Sequence, residues 1–284
     1  MDFSENYTCR FQNEVQSAFW DSNQITLHPV SAYYKVSVGD SWIQRKHSMV
    51  VVSDDLKHDA HAVFRFRQEV YGKLQDECRD LNTIHEWTDG CASQYKGKTG
   101  FADISNDRKQ IQRHFFETSH GKNVSDGIGA TVKNVCHHAV ISGKQVLGNA
   151  SALYEFCREK LTVNTVEVKR EFIYVDSKTI LRERPEVLGA ETLVGTRKVH
   201  SVKNCNKNLE LLVRNLSCFC DGCLEGDVCQ NSSYVTTWES KNLKNKQNVP
   251  ESSRGAPKNV QVKKKCSQIV EEEAILVQRN NPAT

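Results

Sequence analysis

The sequence predicts an α/β fold in which a mixed sheet is flanked by helices. Three observations carry this. Short β-branched runs open the chain and recur in its middle. Segments with helical spacing separate the later runs. The resulting order, strand, strand, strand, helix, strand, strand, helix, fits a sheet that begins as a meander and continues through helical connections.

Each element has its own warrant. Residues 7–11, 25–28 (Ile25-Thr26-Leu27-His28) and 32–36 alternate in the manner of half-buried strands. Residues 48–53 (Ser48-Met49-Val50-Val51-Val52-Ser53) form a continuous apolar run, expected of a strand buried on both faces. Between residues 59 and 74 the apolar positions Ala62, Val63, Phe66, Val70 and Leu74 recur every three or four residues, with Asp59 placed to cap a helix. Residues 83–88 read as a strand running into Asp89-Gly90, and residues 112–117 as another after a polar connector. A helix is expected from Ser125 or Asp126 to residue 135, a second over 150–161, and a third within 176–183, with a strand over 166–174.

The chain has 284 residues, room for one large domain or two small ones. At 38% hydrophobic and 26% charged it reads as a soluble globular chain. No apolar run approaches the roughly 18 residues of a membrane span, and Met1-Asp2-Phe3-Ser4-Glu5 lacks the features of a secretory signal. A net charge of +3 is too small to diagnose a nucleic-acid partner, although a local basic patch is compatible with it. The 11 cysteines are odd in number and mostly scattered, which argues for a reducing compartment over a disulfide framework.

Three acids fall where strands end or helices begin: Asp2, Asp89 and Asp126. Clustered carboxylates raise one another's pKa unless a cation neutralises them, and oxygen-only ligands suit Mg²⁺ or Mn²⁺. Two such ions about 3.5–4 Å apart support in-line phosphoryl displacement. The plainer alternative is a turn Asp before Gly and a helix-capping Asp. Ser119-His120-Gly121-Lys122 followed by Asp126-Gly127-Ile128-Gly129 is similar to a phosphate-cradling loop at a helix start, but matches neither a Walker A nor a dinucleotide motif. His120 and Lys122 are placed to touch a phosphate backbone or orient a water, or to close the turn.

Taken in order, residues 2–7, residues 20–29 (WDSNQITLHP), residues 51–55, residues 87–96 (WTDGCASQYK) and residues 114–129 resemble a large family of transposon-derived animal proteins. The resemblance covers about residues 2–240. It implies a DDE transposase with a ribonuclease-H-like core: a five-stranded mixed sheet flanked by helices, here with a small Cys-rich extension. Carried onto matching positions, the catalytic, metal-holding acids are Asp2, Asp89 and Asp126, with Glu117 competing for the third place. The implied cofactor is Mg²⁺ or Mn²⁺. The implied partner is DNA, with a homo-oligomeric assembly, no membrane and no small-molecule cofactor, and nuclear placement favoured over cytoplasmic. Two departures stand out. The family normally carries material before the first acid, so an N-terminally truncated core is expected, with Asp2 on a frayed terminus. Ala130 and Asn134 stand where Gly and Arg are expected. A catalytically inactive, domesticated DNA- or protein-binding module is therefore the alternative. A proofreading-type exonuclease using Asp2 and Glu5 is disfavoured because two residues, rather than one, separate them.

Cys218, Cys220, Cys223 and Cys229 form a compact cluster whose Cys-Asp-Gly-Cys step fits one tetrahedral Zn²⁺. Closing the site calls for Cys218 with Cys229, or for Cys205 and His200. Free thiols and disulfides are the other readings. The expected organisation is a core over 1–204, a zinc-binding Cys-rich module over 205–240 and a basic, disordered tail over 241–284.

Overall fold

The computed structural model describes residues 1–10, 23–117, 124–205 and 207–244. The expected tail beyond residue 244 therefore lies outside the described residues. Within them the fold is mixed α/β, as the sequence order predicts, but it holds two five-stranded sheets where one is expected.

The first sheet has the order β1-β2-β3-β7-β6, with β1 (Tyr7–Thr8), β2 (Gln24–Val38), β3 (Ser41–Ser53), β6 (Val163–Asn164) and β7 (Val168–Val175). β1, β2 and β3 form the expected antiparallel meander, and β7 joins β3 in parallel. Residues 25–28 and 32–36 are one strand, not two. Pro29 does not interrupt it, because β2 continues in register with β3 on both sides of the Pro29–Val50 pair.

The second sheet has the order β10-β9-β8-β5-β4, with β4 (Thr83–Thr88) parallel to β5 (Gln110–Phe115) and β8 (Ser201–Asn204), β9 (Glu210–Arg214) and β10 (Glu239–Asn242) added antiparallel. These three short strands have no hydrophobic run long enough to announce them. The expected boundary after residue 204 falls inside the β8–β9 hairpin, and the cysteine cluster is an insertion between β9 and β10.

The N-terminal segment stands between the two sheets. The backbone N–H groups of Asp2, Ser4 and Cys9 donate to the carbonyls of Pro29, Leu27 and Asn23 along β2, while the Met1 nitrogen donates to the Trp87 carbonyl of β4 at 2.8 Å. This corrects the expected frayed terminus: Asp2 is half-buried and its backbone is paired.

The second half of β3, residues 47–53, is buried on both faces, as the sequence predicts for residues 48–53. Met49 and Val51 join the core under α1 (Ala60–Glu77) and α2 (Lys98–Ser105), whereas Val50 and Val52 join a second core under α3 (Val124–Ile141) and α4 (Ala150–Leu161). Full burial of each such side chain stabilises by roughly 1.5–3 kcal/mol. The Asp59 carboxylate accepts from the Ala62 N–H and caps α1 as expected.

Two further expectations need correction. The polar connector after Asp89 contains α2, because Phe101, Ala102 and Ile104 bury one helical face. The helix expected within 176–183 is a single 3-10 turn, Ser177–Thr179. Pro185 disfavours helical backbone at the residue before it, and Arg184 is extended with φ −101° and ψ 114°. No helix among the described residues is long and apolar enough to cross a membrane.

Candidate functional site

The first candidate site is assembled by the N-terminal segment, the end of β4 and the first turn of α3. Asp89 follows β4 and accepts the Cys91 N–H at 3.1 Å, which bends the chain away from the strand. Asp126 lies in the exposed first turn of α3. That helix seats directly on the segment carrying Asp2: a Cβ on Gly129 would come 2.7 Å from Ser4 Oγ, so the bare glycine permits the approach.

Electrostatics link the three acids. Burial and then the Asp89 charge, with a smaller push from Asp126, raise Asp2 to about 6, against a hydrogen bond from the Phe3 N–H that holds it down. Burial also raises Asp89. The three carboxylates nevertheless do not bring their oxygens all within 4.8 Å of one another. Glu117, the competitor for the third place, is exposed and lies 3.5 Å from His200 Nε2. His120 and Lys122 lie outside the described residues.

Beneath the acids is a buried polar frame that the sequence gives little sign of. Glu86 of β4 receives Arg67 of α1 at 2.7 Å and Arg113 of β5 at 2.6 Å, and Arg113 also donates to the Tyr95 carbonyl. The Tyr95 hydroxyl shares a hydrogen bond with His28 Nε2 of β2 at 2.9 Å. Burial pushes His28 down to about 3, so its ring is neutral. A side chain at Gly97 would meet the Ala92 carbonyl oxygen at 2.2 Å, and one at Gly100 the Tyr95 carbonyl oxygen at 2.5 Å. The chain from Asp89 into the first turn of α2 can therefore close only with glycine at these positions. The Gly-x-x-Gly spacing in residues 97–100 is the one sequence signal for this tight turn.

The second candidate site is the cysteine insertion. The sulfurs of Cys218, Cys220, Cys223 and Cys229 all lie within 4.8 Å of one another. Cys218 to Cys229 is 3.7 Å and Cys220 to Cys229 is 4.0 Å. Four sulfurs on a tetrahedral Zn²⁺ at about 2.3 Å would lie about 3.8 Å apart, so the set could hold such an ion. Gly222 allows the turn, since a Cβ there would strike the Val228 carbonyl oxygen at 2.2 Å. Of the alternative ligands, His200 faces Glu117 and the Cys205 thiol donates to the Glu210 carbonyl, so neither is used.

N–H donors surround these sulfurs. Asn231 donates to Cys218 Sγ and Arg214 to Cys223 Sγ, both at 3.3 Å. The Asn231 hydrogen bond leads in bringing Cys218 down to about 6, while burial leads in raising Cys229 to about 12. The insertion is fastened to the sheet through Phe219, whose ring packs 6.0 Å from Trp87 and 4.9 Å from His114, and through Ser217, which shares a 2.7 Å hydrogen bond with His114 Nδ1. Trp87 is two residues from Asp89.

The chain matches the family model described as Domain of unknown function (DUF8701) over residues 1–217. It belongs to that family. The match contains Asp2, Asp89 and Asp126 and ends one residue before Cys218. Comparison with the curated proteins and with the solved structures finds no match.

Proposed function

We propose that this chain is a transposon-derived, DDE-type transposase or nuclease core of the ribonuclease-H-like kind, acting on DNA phosphodiesters with Mg²⁺ or Mn²⁺. The observation that carries the reading is the gathering of Asp2, Asp89 and Asp126 around the N-terminal segment: burial and the Asp89 charge, with a smaller push from Asp126, raise Asp2 even against the nearby Met1 ammonium. The strand arrangement lends support. A central N-terminal segment has antiparallel β2 and β3 on one side and the parallel pair β4 and β5 on the other, and the acids sit at the segment, at the end of β4 and on a later helix.

The donor set fits hard cations, because three carboxylates offer only oxygen. When bound, the ions would stabilise the attacking and leaving oxygens of an in-line displacement. The chain's own residues do the rest. Asp2 and Asp89 would hold the cations, whose charge would favour the ionised carboxylates. The Glu86–Arg67–Arg113 frame fixes the end of β4. α3 sets Asp126 against the N-terminal segment through Gly129. The cysteine insertion, holding Zn²⁺, acts structurally by bracing β4 through Phe219 and Trp87. DNA as substrate implies nuclear residence.

A second reading, a domesticated binding module without cleavage, draws on the wider spacing of the carboxylate oxygens. A strand-nicking assay on supercoiled DNA decides between them. The nuclease reading expects Mg²⁺- or Mn²⁺-dependent nicking by the full chain and at least a hundredfold loss in Asp89→Ala. No nicking, or equal nicking by that variant, overturns it.

A further inference from the structure

We infer that Lys96 is a substrate-binding residue of the acid site, a cation held ready for a phosphate of the DNA backbone. The inference rests on the nuclease reading and adds a contact to it.

Lys96 lies in the loop that Asp89 opens. Its backbone N–H donates to the Cys91 carbonyl at 3.0 Å. The residue before it, Tyr95, is locked by His28 and Arg113, and the residue after it, Gly97, is pressed against Ala92. The stem runs back along the loop, with Cδ 3.7 Å from where a Cβ on Gly90 would stand. The ammonium rests 4.9 Å from the centre of the Phe115 ring. This side chain is therefore aimed by its surroundings, unlike a surface lysine free to sample many rotamers.

Its partners set it apart from the buried guanidiniums of the core. Arg67 and Arg113 are committed to Glu86, and Arg184 to Asp103. Among the described residues Lys96 has no carboxylate within 4.0 Å of its Nζ and no side-chain hydrogen bond. It is half-buried, and burial lowers its pKa while the more distant Glu117 charge opposes that shift. A half-buried ammonium without an anion is costly, and an arriving phosphate oxygen would offset that cost with a charge-assisted hydrogen bond. Carboxylates that draw cations repel a phosphodiester, so a site of this kind needs such a positive group on its rim. His120 and Lys122 are the sequence's candidates for that role; Lys96 stands in the loop that Asp89 opens, its stem beside Gly90.

The test measures binding of a fluorescently labelled DNA duplex by anisotropy across a salt series, with Ca²⁺ replacing Mg²⁺ to suppress cleavage. The proteins are the full chain, Lys96→Gln and Lys96→Arg. Each phosphate neutralised by a cation contributes about 0.9 to the slope of log affinity against log salt. Lys96→Gln is expected to reduce the slope by about that amount and to weaken low-salt binding roughly five- to tenfold, with Lys96→Arg close to the parent. A purely structural lysine would lower the melting temperature of Lys96→Gln but leave the salt slope alone, and that result overturns the inference. So does an unchanged slope and affinity in a parent chain that binds and nicks DNA, an outcome that leaves the nuclease reading standing. A parent that neither binds nor nicks removes both.

Discussion

The four cysteines come from one short insertion, whereas the three acids come from the N-terminal segment, the end of β4 and the start of α3. The cysteine sulfurs already stand at the spacing a tetrahedral ion requires, at 3.7 and 4.0 Å for two of the pairs. The acids sense one another electrostatically but are not drawn to a common point. One site is local and closed; the other is assembled by the whole fold and stays open. A closed set of four protein ligands suits a structural ion, and an open set leaves coordination positions for substrate. Phe219 against Trp87 joins the two, so the closed site supports the strand that carries Asp89.

The sharpest break of this comparison is to disable the closed site. Structural zinc in small modules is worth on the order of 10 kcal/mol of apparent binding energy. The parent chain is expected to carry one zinc by atomic absorption. Cys220→Ser is expected to lose it, and amide exchange across residues 215–238 should rise sharply. Retention of zinc by that variant would show that the cluster is not the ligand set.

Next in size is the frame under the open site. Glu86→Ala strands Arg113 in the interior, leaves Arg67 only its longer contact to Asp107, and should cost about 3–5 kcal/mol in denaturant unfolding. It should leave zinc content unchanged. A loss below 1 kcal/mol would mean the acids rest on something else.

Smaller again is the loop. Gly97→Ala forces a Cβ into the Ala92 carbonyl and should cost about 1–3 kcal/mol, read from the same unfolding curves, with weaker divalent-cation binding.

The smallest effect carries the opposite sign. Asp2 is raised from its ordinary value near 3.8 to about 6, so its ionisation costs folding stability. That cost is absent below about pH 4, grows as pH rises through about 6 and is complete above. In chelator-treated protein Asp2→Asn should therefore stabilise at pH 7.5, by about 1 kcal/mol after allowing for solvent screening, and do nothing at pH 3.5. A destabilised variant at pH 7.5 would indicate that the attraction of the Met1 ammonium outweighs burial and the Asp89 charge.

What was legible in the sequence follows the same division. α1 with its Asp59 cap, β4 and α4 were readable because propensity, periodicity and capping agree there. The doubly buried run of β3 was readable because a strand covered on both faces loses its alternation. The cysteine cluster was readable because its members are close in sequence. β8, β9 and β10 were not, since short strands at the side of a sheet depend on long-range pairing. The Glu86, Arg67 and Arg113 frame and the placement of Lys96 were hidden for the same reason: nothing local distinguishes a buried, paired charge from a solvated one. The terminus was misjudged because its order comes from hydrogen bonds to β2 and β4, far away in the chain.

Mn²⁺ binding to the full-length chain, followed by electron paramagnetic resonance at pH 7.5 with zinc content measured in parallel, tests the central claim most directly. The account predicts Mn²⁺ affinity at least tenfold weaker in each of Asp2→Asn, Asp89→Asn and Asp126→Asn, with one zinc per chain retained in all three. Unaltered Mn²⁺ binding in those variants would contradict it.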